Sequence, residues 1–94
     1  MRLEDIRHEI NHIDQDLVAL LEKRMMLVHQ VTAYKLSNQL PVLDQAREDQ
    51  ILARVSDLVQ ASSFEPAIHE TFKTIMALSR QYQSQEMAKE ATDD

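Results

Sequence analysis

The chain contains no glycine in its 94 residues, and this absence restricts its fold more than any other feature. Tight two-residue hairpins and phosphate-cradling loops need glycine, because only glycine adopts positive φ without steric cost. The composition therefore disfavours antiparallel β folds and excludes dinucleotide-binding turns, nucleophile elbows and EF-hand loops. We predict an all-α protein in which Pro41, Asp44 and Pro66 mark the helix ends and no turn needs a positive φ.

Charge and cysteine content narrow the class further. The chain carries 16 Asp and Glu against 10 Lys and Arg, a net charge of −6, so we expect no nucleic-acid partner. Half of this charge lies in residues 86–94, which we expect to form an acidic, disordered tail after a domain of residues 1–85. The chain has no cysteine, which fits a cytoplasmic protein, and no apolar run approaches the ~20 residues of a membrane span.

Apolar periodicity predicts three helices, one long and two medium. Apolar residues recur at steps of three and four over residues 3–36, a second helix follows Asp44, and a third ends at about Gln85. The first helix would be ~50 Å long, whereas a compact chain of this size has a radius of gyration of ~12 Å. Its apolar stripe therefore needs a second copy of the chain, and we predict an intertwined helical homodimer. The alternative is a helix broken near residues 24–26, which would give a monomeric bundle.

Charged residues interrupt the faces that should be apolar. On a helical wheel, Arg24 and Lys35 lie in the centre of the stripe of the first helix, and Arg7 lies on its flank. A cation at such a position is costly unless it is paired or binds a ligand. Guanidinium groups bind carboxylates through paired hydrogen bonds, so a small dicarboxylate is the favoured ligand. The complete set of inward-facing polar residues is Arg7, Arg24, Lys35, Arg47, Glu48, Ser79 and Gln83.

One short motif is typical of a different function, zinc-dependent proteolysis. His8 and His12 form an H-E-x-x-H sequence, which is typical of zinc-protease helices. Both fall opposite the apolar stripe and no third ligand stands out, so we interpret them as a solvated face. We expect neither a metal nor another cofactor.

In their order and spacing, the inward-facing residues resemble the all-helical chorismate mutase family in its bacterial form, over nearly the whole chain. The pattern begins with Arg7 in an Ile-Arg-x-Glu-Ile-x-x-Ile-Asp run and continues with Leu-Leu-x-x-Arg, which ends at Arg24. Its remaining elements are Lys35, Pro41-Val42-x-Asp44-x-x-Arg47-Glu48, Ser79 and Gln83.

The resemblance implies an isomerase that converts chorismate to prephenate, a unimolecular rearrangement on the path to phenylalanine and tyrosine. It implies that Lys35 and Gln83 donate hydrogen bonds to the ether oxygen and that Glu48 accepts one from the ring hydroxyl. It also allows a shikimate-pathway enzyme as a partner. The residues that it assigns to substrate binding are Arg7 (from the partner subunit), Arg24, Arg47, Asp44 and Ser79.

Two alternatives stay open. An isochorismate pyruvate lyase has the same fold and a similar cationic pocket, although such lyases tend to lack the carboxylate found here at Glu48. A non-catalytic dimeric helical module could keep the fold as a regulator, but a retired site has no reason to retain cations in the core.

Overall fold

The computed structural model describes residues 2–92, with side chains described as far as residue 90. Within that range it contains three α-helices and no strand: α1 (Leu3–Ser37), α2 (Gln45–Leu58) and α3 (Glu65–Thr92), with a 3-10 turn at Ser62–Phe64. The prediction of an all-α fold with one long helix is confirmed. Since α1 is continuous, the expected alternative of a helix broken near residues 24–26 is wrong.

Helix α1 ends in a turn that uses a positive φ without glycine. Gln39 has a φ of 55°, and its N–H donates to the carbonyl of Leu36 at 3.4 Å. The N–H of Leu40 donates to the carbonyl of Lys35 at 2.8 Å, which completes a Schellman arrangement. The expectation that no turn needs a positive φ is therefore wrong. This closure requires a left-handed residue, and a residue with a Cβ adopts that conformation at a cost of ~1 kcal/mol.

The starts of α2 and α3 follow the sequence signals. Asp44 is the N-cap of α2, and its Oδ1 accepts a hydrogen bond from the N–H of Arg47 at 3.0 Å. Helix α3 begins at Glu65 with Pro66 in its first turn, where the missing N–H would have no partner in any case. The capped first turn of α2, the middle of α3 and the second half of α1 together line a polar pocket.

Helix α3 extends further than its apolar pattern indicates. The expected end at Gln85 is wrong, since the helix continues to Thr92. Residues 86–92 contain no glycine or proline, and most of them favour helix, so nothing local stops it. The predicted acidic tail thus falls partly on α3 and, at Asp93 and Asp94, outside the described residues.

The single chain is extended and encloses little core. Its principal extents are 58 × 26 × 14 Å and its radius of gyration is 16.8 Å, against ~12 Å for a compact chain of this length. Helix α3 packs against both α1 and α2, but residues 3–20 of α1 are all exposed. Among the described side chains, Val55 and Met76 are the only buried apolar ones.

Across residues 2–92, every helix is either too short or too polar to cross a membrane.

Candidate active site

A polar pocket lies where the second half of α1, the start of α2 and the middle of α3 meet. Five apolar residues contribute to its wall: Val28, Val31, Val42, Ile51 and Met76. Seven of the eight residues that the sequence singled out for the site also line it: Arg24, Lys35, Asp44, Arg47, Glu48, Ser79 and Gln83. The fold therefore brings together polar groups from three helices, which the sequence only suggested.

Arg24 is held in the pocket by Ser79. The Arg24 Nη1 donates to the Ser79 Oγ at 2.6 Å, and the Ser79 hydroxyl donates to the carbonyl of Ile75 at 2.9 Å. Desolvation by burial lowers the pKa of Arg24, and the nearby guanidinium of Arg47 lowers that pKa further. A bound carboxylate would relieve the repulsion between the two cations and compensate the desolvation, so the pocket favours an anion.

Lys35 makes two contacts that fix its ammonium group. Its Nζ donates to the carbonyl of Val42 at 2.6 Å and to the Oε1 of Gln83 at 3.0 Å. The turn after α1 makes the first contact feasible, because it returns the chain to the helix end that carries Lys35. An ammonium has three donors and the amide oxygen of Gln83 is occupied, so one N–H of Lys35 and the amide NH₂ of Gln83 remain for a ligand.

Glu48 is paired with Arg80, a residue that the sequence reasoning missed. The Arg80 Nη1 donates to the Glu48 Oε1, and both residues line the pocket. A signal for Arg80 exists in the sequence, since it lies four residues after Met76 and three before Gln83 on the flank of one helix face. The carbonyl of Val42 was also missed, because a backbone acceptor leaves no mark in residue types.

Arg7 does not reach the pocket of its own chain. It lies exposed on α1, 17 residues before Arg24, which is ~25 Å along a helix. The neighbouring His8 and His12 are exposed as well, with ring centroids 5.0 Å apart. Within the described residues, no group of three or more His, Cys, Asp or Glu side chains could hold a metal ion.

The fold and the pocket together define a class: an all-α protein whose helix faces present cations, carboxylates and an amide to one shared pocket. A family model for chorismate mutase type II matches residues 6–84, and the chain belongs to that family. This assignment confirms the resemblance noted in the sequence and supports the isomerase class.

One relative extends the comparison. Over 52 residues the chain is 40% identical to the bifunctional chorismate mutase/prephenate dehydratase of Buchnera aphidicola subsp. Schizaphis graminum (strain Sg). The match covers 55% of this chain and 14% of that relative, so it spans a small part of the relative's length. No solved structure matches the chain.

Proposed function

We propose that the chain catalyses the rearrangement of chorismate to prephenate for phenylalanine and tyrosine synthesis, in the cytoplasm and without a cofactor. The observation that carries the proposal is the contact between Lys35 and Gln83 on the wall of a cationic pocket. The Lys35 Nζ donates to the Gln83 Oε1 at 3.0 Å, which leaves an ammonium N–H and the amide NH₂ as neighbouring donors for a ligand. The reaction is unimolecular, so a protein accelerates it by holding a compact conformer and stabilising the charge that develops.

The two carboxylates of chorismate bind to the guanidinium groups. Arg24 and Arg47 supply two of these from one chain, and the Ser79 hydroxyl fixes Arg24 in place. Arg7 of the partner subunit supplies the third. Each guanidinium presents paired N–H donors that match a carboxylate, which favours a dianion over a singly charged ligand.

The developing charge is stabilised by Lys35 and Gln83. As the C–O bond of the ether breaks, negative charge grows on its oxygen, and both side chains donate hydrogen bonds there. Their contacts with Val42 and with each other hold them in place before the substrate arrives. Donors that need no reorganisation during the reaction stabilise the transition state more than the ground state.

Glu48 accepts a hydrogen bond from the ring hydroxyl, and Asp44 acts through the backbone. The Asp44 side chain caps α2, so it fixes the first helical turn, in which Arg47 and Glu48 stand. This turn places a cation for a carboxylate and an acceptor for the hydroxyl side by side. Arg47 and Glu48 therefore recognise two groups of the same small molecule, a carboxylate and the ring hydroxyl.

The active form is proposed to be a homodimer in which the α1 helices pack antiparallel. The exposed stripe of α1 has large apolar side chains such as Ile10 and Leu17, which are 49% and 48% exposed, and a second copy would cover them. If the stripe from residue 3 to residue 31 is centred on a two-fold axis, Arg7 of the partner subunit falls opposite residue 27. That position is one turn beyond Arg24, at the pocket.

The proposed function is tested by product identification. Purified protein is incubated with chorismate and, separately, with isochorismate. Prephenate from chorismate supports the proposal, whereas salicylate and pyruvate from isochorismate would identify a lyase instead. If the protein turns over neither substrate, the remaining interpretation is a non-catalytic helical module.

The dimer predicts a solution mass of twice the 10.9 kDa of one chain, because an isolated chain would expose the α1 stripe to water. Light scattering coupled to size-exclusion chromatography measures this mass directly. Ile10→Asp and Leu17→Asp, which place charges on the stripe, should shift the mass to that of a monomer. Gln15→Asp, which adds the same charge on the opposite face of that helix, is the control. A monomeric wild-type protein would contradict the proposed assembly.

Because residue 83 is a glutamine, we expect the mutase activity to persist from pH 7 to pH 8. An amide donates at any pH, whereas a carboxyl group donates only while protonated, and glutamate ordinarily has a pKa of about 4.3. Gln83→Glu should therefore make the rate fall as the pH rises, since deprotonation replaces a donor with a repelling charge. The pH profiles of kcat for the wild type and for Gln83→Glu check this. A wild-type rate that collapses between pH 6 and pH 8 would contradict the role of Gln83.

A further inference from the structure

The ion pair between Arg80 and Glu48 separates the pocket from a second hollow. Both residues line the pocket, and both also line a hollow between the start of α2 and α3, together with Leu52 and Lys73. The side chains are 34% exposed for Arg80 and 17% exposed for Glu48, so the pair is partly shielded from water. An ion pair with this shielding constrains side-chain geometry more than one on an open surface.

Glu48 needs such a constraint. Its side chain has three rotatable bonds, and further cations line both of the hollows that it borders, among them Arg47 and Lys73, the latter 3.7 Å from the Oε1 of Glu70. Lys73 lines only the second hollow, whereas Arg47 stands on the pocket side. Without Arg80, the carboxylate could turn to either cation, and a contact with Arg47 would occupy a group needed for the substrate carboxylate.

Charge balance gives Arg80 a second effect. The lining of the pocket contains four cations, Arg24, Lys35, Arg47 and Arg80, and two carboxylates, Asp44 and Glu48. Glu48 would repel a dianion, and Arg80 offsets that charge at the same point. The pocket can thus keep an acceptor for a hydroxyl without losing its attraction for carboxylates.

We propose that Arg80 is a positioning residue for Glu48: it occupies Oε1 and leaves Oε2 to accept the ring hydroxyl of the substrate. The inference rests on the proposed function and deepens it, because it assigns recognition of the hydroxyl to an ion pair rather than to a single carboxylate. A hydroxyl donates readily to a carboxylate whose orientation is already set, so the contact costs less side-chain entropy on binding.

The experiment compares chorismate with an analogue in which hydrogen replaces the ring hydroxyl. Arg80→Met should raise KM for chorismate about 10-fold with little change in kcat, because the hydroxyl contact exists in both the ground state and the transition state. With the analogue, Arg80→Met should raise KM clearly less than with chorismate, because only the repulsion by Glu48 and its competition for Arg47 remain and no hydroxyl contact is lost. Arg54→Met, which replaces an exposed arginine outside the lining of the pocket, is the matched control and should match the wild type on both substrates.

Two further variants keep the inference falsifiable. Arg80→Lys retains a cation and should recover part of the lost affinity, and its helicity and solution mass show whether position 80 tolerates change. The double variant Glu48→Gln with Arg80→Met should lose no more than Glu48→Gln alone, since Arg80 acts through the carboxylate.

The outcomes separate the inference from the function on which it rests. An equal rise in KM on chorismate and on the analogue would place Arg80 on a substrate carboxylate and overturn the inference. Unchanged kinetics of Arg80→Met on chorismate would also overturn it, while leaving the mutase function intact. Failure of the wild type to form prephenate would overturn the proposed function, and the inference with it.

Discussion

Replacing Lys35 with alanine is expected to lower kcat about 100-fold or more, because the ammonium stabilises charge that exists mainly in the transition state. KM should change much less, since the arginines that bind the carboxylates are untouched. The variant also releases Gln83, whose amide oxygen accepts from Lys35 in the folded protein. Steady-state kinetics with chorismate measure both constants.

Lys23→Ala is the matched control for this experiment. Lys23 is an exposed lysine on the same helix and does not line the pocket, so its removal should leave kcat near the wild-type value. Circular dichroism verifies that both variants keep their helicity. If Lys35→Ala retained near wild-type turnover, the assignment of Lys35 to the ether oxygen would be wrong.

Arg7→Ala is expected to lower kcat/KM about 100-fold, because it removes a charge-assisted contact to a carboxylate of the substrate. This loss is expected even though Arg7 lies far from the pocket of its own chain. The dimer should remain, because Arg7 stands on the flank of the α1 stripe rather than in it. Kinetics and solution mass on the same preparation check the two statements together. If the Arg7→Ala dimer kept wild-type activity, the assignment of Arg7 to the active site would be wrong.

Mixed dimers test whether Arg7 acts across the interface. When Arg7→Ala and Lys35→Ala chains are unfolded and refolded together, half of the dimers contain one chain of each kind, and one site in each of these is intact. About a quarter of the sites should therefore regain wild-type activity. Arg24→Ala mixed with Lys35→Ala is the control, because both residues belong to the same pocket of one chain and no intact site can form. Equal recovery in the two mixtures, or none in either, would contradict the shared site.

Much of the fold could be predicted because helix formation is governed by local rules. The period of the apolar residues indicated α1, and the carboxylate of Asp44 indicated the start of α2. Local rules failed at two points: they predicted too early an end for α3, and they did not predict the positive φ of Gln39. A helix without a breaker continues past its apolar stripe, and the conformation of a turn depends on the hydrogen bonds that close it.

The candidate site was predictable to the extent that burial of charge is costly. Arg24 and Lys35 were noticed because a cation on an apolar face needs a reason. Arg80 was not, since a cation on the flank of a helix is ordinary until its partner is known. Its partner, Glu48, lies 32 positions earlier, and no periodicity within one helix links the two.

By itself, the sequence determined that the chain is helical, that α1 is too long to be covered by its own domain, and that its polar set fits a chorismate mutase. The first two conclusions follow from the absence of glycine and the apolar period, which act locally, and the third rests on the resemblance of the polar set to that family. Only the tertiary structure decided that Lys35 contacts Gln83 and that Arg80 holds Glu48. Such pairings depend on how α1, α2 and α3 pack, because the packing sets distances between residues that no spacing along the chain encodes.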